Sequence, residues 1–491
     1  LRAGHFKLKA CDLEKRNKMK QKSSIALICC AFVTLQAELK LEKTSQSYLF
    51  TPPIFTTLPA RINAWHDSWF DIEKNTAFQA TTQYRRSFRS EKLKQYFLMQ
   101  NRDSLTIRGS ANTNTSPATD VRADWLGLPT TFEGQLHMKP EQEQFCVSLS
   151  ARRSFKFEGT SLLDRMWGFC ELPVINIKNN LNFHQEAVTN AAATTITVHD
   201  IESAFNNPEW NFQKIKTTAQ SRTHIGEVRL GFGKTFISDG RAHVASYSAI
   251  SIPTIRKQNN DYLFAPQVGL NGHFAMIWGA SFQLPITRKT DLNTTSLFLD
   301  FENNFMIRNA QYRTFDLKDK EWSRFLLLRE KNQTTNTTTP GVNILTQKVR
   351  VSPYAMINAC TGVRFHVGTS EGEIGFGIWG RNEERLRLRT PWQEIYGIAG
   401  TTTNTSASVS TIKTLGANDV TFTPIKETDL DFSSATTPAT LVYRAHVAYG
   451  MHGRDENGNG LCSLGMFVEI PDNSTSAFSQ WGFWAKLGAA F

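Results

Sequence analysis

The last sixteen residues, Ser476 to Phe491 (SAFSQWGFWAKLGAAF), leave this chain few folds to choose from. Trp481, Phe483, Ala485, Leu487, Ala489 and Phe491 fall on one face of an extended strand. Gly482, Trp484, Lys486, Gly488 and Ala490 fall on the other. Apolar residues repeating at every second position mean a strand with one apolar face. The sequence then stops on an aromatic residue, where soluble sheets usually fray into water.

The same period recurs along most of the chain. Asn75 to Phe88 reads as a first strand, and 93–108 and 131–138 as weaker ones, separated by a Thr/Asn/Ser loop at 110–119. From 145 the alternation is cleaner: 145–156, 167–178, 227–235, 241–254, 273–286, 294–309, 350–367, 372–388, 441–452, 460–470 and 478–491. In 273–286, Phe274, Met276, Trp278, Ala280, Phe282, Leu284 and Ile286 alternate against His273, Ala275, Ile277, Gly279, Ser281 and Gln283. In 294–309, Leu297, Leu299, Phe301, Phe305 and Ile307 share a face on which Asn303 is the polar exception. Such runs are long for soluble strands and suit tilted membrane strands, which need about 9–11 residues to cross.

The terminal aromatic and the alternation together resemble bacterial outer-membrane β-barrels of the porin-like class. The resemblance implies an all-β fold: a closed antiparallel transmembrane β-barrel over 75–491, with twelve to fourteen strands, long external loops and short periplasmic turns. It also implies that Trp481, Phe483 and Phe491 form an assembly signal for barrel-assembly machinery, in a Gram-negative outer membrane whose lipid covers the apolar face. Connection lengths argue the same way. Counting back from the final strand, the turns 236–240, 287–293, 368–371 and 453–459 fall on one side. The connections 179–221, 255–270, 316–347 and 389–436 fall on the other, and include the Thr/Asn-rich stretches 332–339 and 401–410. The count depends on how 75–138 pairs, because 139–144 would have to be an external connection.

Met19 begins a secretory leader, with Lys20 and Lys22, the apolar run Ile25 to Val33, and a cleavage site after Ala37. Residues 1–18 read as a mis-assigned start. Residues 38–74, interrupted by Pro52, Pro53 and Pro59, read as an extended segment in the periplasm or folded into the lumen. Residues 1–37 hold eight Lys/Arg and two Asp/Glu, so without them the net charge falls from +11 to +5. That remainder is dispersed, and no basic patch interleaved with aromatics argues for nucleic acid. Cys146, Cys170, Cys360 and Cys462 lack metal-site spacing. Cys146 and Cys170 lie on strands expected to be neighbours, where a disulfide is the alternative to independent thiols.

No catalytic motif survives inspection, so no enzyme activity, cofactor or metal is expected. Gly233-Lys234-Thr235 lacks the first glycine of a phosphate-binding loop. Asp455, Asn457, Asn459 and Gly460 open like a calcium loop, but its twelfth position is Met466, and a hairpin turn explains them. His366, His446 and His452 have no partner assignable from sequence. Short helical turns at 200–205 have Asp200 as a candidate cap and Ile201, Ala204 and Phe205 on one side.

The inward face carries mixed charge: Glu227, Arg229, Asp300, Glu302, Arg308, Arg364, His366, Glu373, Arg381, Arg444, His446 and Lys486. Facing a water-filled lumen, such groups tune which polar solutes pass. Paired across strands, they would instead fill a closed interior. The resemblance implies passive diffusion of small polar solutes. A transporter of hydrophobic ligands plugged by 38–74 and an adhesin presenting Thr/Asn-rich loops are the alternatives. Oligomeric state is not legible.

Overall fold

The alternating segments form a closed ring. The computed structural model describes residues 45–62, 75–111, 120–155, 164–186, 198, 200–239, 242–255, 260–290, 293–331, 337–353, 355–399, 423–455 and 458–491. Outside them lie the expected leader at 19–37, residues 1–18, the flanks 38–44 and 63–74, the stretch 401–410 and most of 332–339. The ring strands are β1 (Thr76–Phe88), β2 (Glu141–Phe155), β3 (Met166–Asn180) and β4 (Glu227–Asp239). They continue as β5 (Ala242–Pro253), β6 (Ala275–Thr290), β7 (Asn293–Met306) and β8 (Ala355–Val367). The last four are β9 (Ser370–Arg381), β10 (Thr440–Asp455), β11 (Gly458–Pro471) and β12 (Ser479–Ala490).

Each strand pairs antiparallel with its neighbours in sequence, and β12 returns to β1, so this is a closed twelve-stranded antiparallel barrel. Closure removes the unpaired edges that an open sheet would present. The register puts the expected faces where the alternation requires. Trp278, Val447 and Phe483 lie on the outside, each 45–47% exposed, while Arg229, Glu302 and Arg364 are fully buried inside. Inward aromatics settle over glycines of the adjoining strand. A Cβ on Gly465 would lie 2.1 Å from the Trp484 ring, and one on Gly279 would lie 2.1 Å from Tyr247.

One end of the barrel has tight turns: β4 ends at Asp239 and β5 begins at Ala242, and β8 ends at Val367 and β9 begins at Ser370. Asp455 pairs with Gly458 and Arg454 with Asn459, so Asp455, Asn459 and Gly460 lie in paired strands, while Asn457 lies outside the described residues. Gly233, Lys234 and Thr235 lie within β4. At the opposite end the described parts of the long connections fold into a cap with its own apolar core, including Trp125, Phe205, Trp322, Phe325 and Leu345. Phe205 meets Phe325 edge to face at 5.2 Å. The helix Ile201–Phe205 is capped as expected, with Asp200 Oδ1 accepting from the Ser203 amide at 2.7 Å.

The cap corrects several expected strands. Residues 93–108 and 131–138 do not enter the barrel. Lys94–Phe97 is helical, and Ser104–Arg108 and Glu133–His137 pair in a small sheet with Asp120–Arg122 and His184–Glu186. Their alternation is real, but Leu105, Ile107 and Leu136 bury against cap residues instead of facing outward. The barrel therefore has twelve strands, with 75–138 supplying one. The runs 350–367 and 372–388 each join two strands. Pro353 separates Thr346–Ser352 from β8, and Arg385–Leu388 leaves the barrel to pair with Thr346–Ser352. Cys146 and Cys170 are free thiols, the first buried and the second exposed. They sit opposite Ile175 and Ala151 respectively and point to opposite faces, which excludes a bridge.

Candidate functional site

The lumen contains part of the chain itself. Ser45–Phe50 lies in the cap, where Ser47 Oγ donates to the Thr314 carbonyl at 2.6 Å and the Tyr96 hydroxyl donates to the Tyr48 carbonyl at 2.7 Å. The chain then runs through the barrel toward the turn end. The Ile54 amide donates to Gln144 on β2 at 2.9 Å, and Asn358 on β8 donates to the Thr56 carbonyl at 2.6 Å. Ile54, Phe55 and Leu58 are fully buried. The short helix Leu58–Ile62 carries Arg61 into the middle of the wall charges. Pro53 and Pro59 suit this path, since Pro53 precedes the turn Ile54–Thr56 and Pro59 sits in the first turn of Leu58–Ile62, where the missing amide has no intrahelical partner to lose.

Arg61 is the centre of the first cluster. Its guanidinium bonds Glu302 on β7 and pairs with Glu171 on β3 at 3.1 Å. Arg229 on β4 also reaches Glu302 at 3.4 Å and Glu227 at 3.2 Å. The Tyr247 hydroxyl and the Asn304 amide donate to Glu302 at 3.0 and 3.1 Å. Lys486 on β12 donates to the Arg61 carbonyl at 3.1 Å. Two guanidinium groups and three carboxylates thus share one buried volume, where a missing partner would leave a buried charge uncompensated.

A second cluster lies nearer the turns. Arg364 on β8 binds Glu373 through Nε and Nη2 at 2.9 and 2.6 Å, and its Nε lies 3.0 Å from Glu371. Glu373 pairs with His446 Nε2 at 2.8 Å. Glu371 lies against His452 and His366 at 3.1 and 3.4 Å. In a third cluster, Arg444 on β10 donates twice to Glu469 on β11, at 2.9 and 2.6 Å, and Arg85 on β1 reaches the other oxygen at 3.5 Å. Asp300 accepts from Ser281 at 2.6 Å. Arg381 stands at the cap end with its guanidinium 5.0 Å from the Phe50 ring centre.

Eleven of the twelve inward candidates are therefore buried inside the barrel: Glu227, Arg229, Asp300, Glu302, Arg364, His366, Glu373, Arg381, Arg444, His446 and Lys486. Arg308 is not among them. It follows the end of β7 and is exposed, because the strand stops at Met306 and the alternation no longer fixes its direction. Sequence reasoning missed Arg61, Arg85, Glu171, Glu371 and Glu469. Glu371 repeats two residues before Glu373 and was legible once β9 was extended to Ser370. Arg61 carried no periodic signal. On the outer rim of the last strand, Trp481 and Phe483 project outward, and the Phe491 ring lies 5.9 Å from Phe78 of β1.

No family model matches the chain, and no curated protein matches it. Among solved structures it is similar to an outer-membrane channel from Pseudomonas putida F1, at TM-score 0.38 and 8% identity over 85% of this chain and 96% of that one. It is also similar to a Pseudomonas aeruginosa FadL homologue, at TM-score 0.26 and 7% identity over 85% and 90%. Salmonella typhi OmpF, in complex with daunomycin, overlaps at TM-score 0.22 and 8% identity over 85% and 97%. These overlaps are loose, and the strand pairing alone carries the architecture.

Proposed function

We propose that this protein is an outer-membrane channel for small polar solutes, held shut by its own N-terminal segment until that segment leaves the lumen. Hydrocarbon covers the outward face, and barrel-assembly machinery inserts the chain through its terminal aromatic strand. No catalysis is assigned to it. The observation that carries the reading is the position of Arg61, which ties the lumen segment to Glu171 on β3 and Glu302 on β7 of a charged wall. With the segment in place the wall charges pair with it and with one another. With it withdrawn, those same charges would face water and favour polar over apolar solutes. The plug also fits the transporter of hydrophobic ligands, but the charged walls beside it do not offer an apolar path.

Conductance across planar bilayers tests the proposal. Wild-type protein is expected to stay mostly closed, and Arg61→Ala to open in discrete ohmic steps far more often. A folded, heat-modifiable Arg61→Ala protein that never conducts would overturn it.

A further inference from the structure

We propose that His366, Glu371 and His452 form a binding site for one divalent transition-metal ion, of the class of Zn2+, at the turn end of the lumen. The three residues come from three successive strands. His366 is the penultimate residue of β8 and stands opposite Glu371, the second residue of β9. His452 lies near the end of β10, on the other flank of β9. Strand pleating turns all three side chains inward, with His452 two residues beyond Gly450, the residue of β10 that stands opposite Glu371.

Their donor atoms converge. Glu371 Oε2 is 3.1 Å from His452 Nε2 and 3.4 Å from His366 Nδ1, and one donor atom from each residue lies within 4.8 Å of the other two. A tetrahedral zinc ion with arms of about 2.0–2.1 Å needs its ligand atoms roughly 3.3–3.4 Å apart. The 3.4 Å edge meets that spacing and the 3.1 Å edge lies just inside it. Two imidazoles and one carboxylate are also the donor set of sites that leave the fourth position to water. Arg364 lies 3.0 Å from the other Glu371 oxygen, so Oε2 is the one presented to the histidines. A neighbouring charge that fixes a ligand's orientation is a usual kind of outer support for a metal site. Glu373 sits beside the same guanidinium and offsets its charge. His452 is 11% exposed, which leaves an approach from the turn end. The bland alternative is that both imidazoles simply donate to one carboxylate oxygen.

The test uses the untagged full chain in detergent, stripped with chelator and titrated with Zn2+ by calorimetry, with metal content measured after desalting. This readout is independent of conduction. One ion per chain is expected, with affinity lowered at least tenfold in His452→Ala and unchanged in His137→Ala, a cap histidine. Co2+ bound to the wild-type protein should give the strong visible absorption of a four-coordinate site. Absence of stoichiometric zinc, a His452→Ala protein that binds as wild type, or a six-coordinate Co2+ spectrum would each overturn the proposal.

Discussion

Thr76 and Phe491 exchange backbone hydrogen bonds in both directions, each amide donating to the other's carbonyl at 2.9 Å. Phe491 thereby extends one end of the seam that closes the ring, which runs on from Ala77–Ala490 to Phe88–Ser479. Deleting Phe491 removes both bonds and the ring contact with Phe78. Phe491→Ala keeps the bonds and loses about 0.5–1.5 kcal/mol of aromatic contact. The deletion is expected to leave a smaller fraction of heat-modifiable, folded protein on unheated gels than the alanine variant. Equal folded fractions would show that the seam does not depend on this pair.

Glu302 is fully buried between Arg61 and Arg229. Glu302→Ala removes the carboxylate that both guanidinium groups share, leaving Arg61 to Glu171 and Arg229 to Glu227, and is expected to destabilise the barrel by about 3–5 kcal/mol. The Arg61→Ala, Glu302→Ala double variant should lose less than the sum of the singles, by about 0.5–3 kcal/mol. Denaturant midpoints in a fixed lipid system give all three values, and strict additivity would separate the two residues energetically.

Val447 lies midway along β10 and is 45% exposed on the outer face. If hydrocarbon covers it, Val447→Arg costs about 2–4 kcal/mol in a bilayer. A shift within about 0.5 kcal/mol, the range of ordinary water-exposed substitutions, would mean that water covers that face instead.

His273 sits just before β6 at the base of the cap. Its Nδ1 donates to the Ile307 carbonyl at 2.8 Å, and its Nε2 accepts from Gln311 at 2.9 Å, so the network holds the neutral ring. Burial in the cap lowers its pKa from the ordinary histidine value, against a smaller opposing effect of the Ile307 carbonyl. The unfolded chain therefore binds more protons than the fold once pH drops below about 6.5. Stability is present above that value and is lost as pH falls, by at most about 1.4 kcal/mol per pH unit. Hydrogen exchange in Asn309–Thr314 should be faster at pH 5.5 than extrapolation from pH 7.5 allows, and His273→Asn should abolish the excess. A pH response unchanged in that variant would assign it to another group.

The period of two decided which side of each strand faces out, because consecutive side chains on a pleated backbone have no other choice. From that alone the outward positions of Trp278, Val447 and Phe483, and the inward ones of Arg229, Glu302 and Arg364, were legible. So was the side on which the long connections lie. What alternation does not contain is the identity of what covers a face. Leu105 and Ile107 alternate as barrel residues do, yet a neighbouring loop buries them in the cap. Pairing partners of the inward charges were equally out of reach, since Arg61 meets Glu302 across 241 residues and Arg364 meets both Glu371 and Glu373 from the next strand. The sequence by itself determined a one-sided ribbon that ends in an aromatic strand. Only the tertiary structure decided that the ribbon closes at twelve strands around its own N-terminal segment, because ring closure and charge pairing are fixed by contacts between residues far apart in the chain.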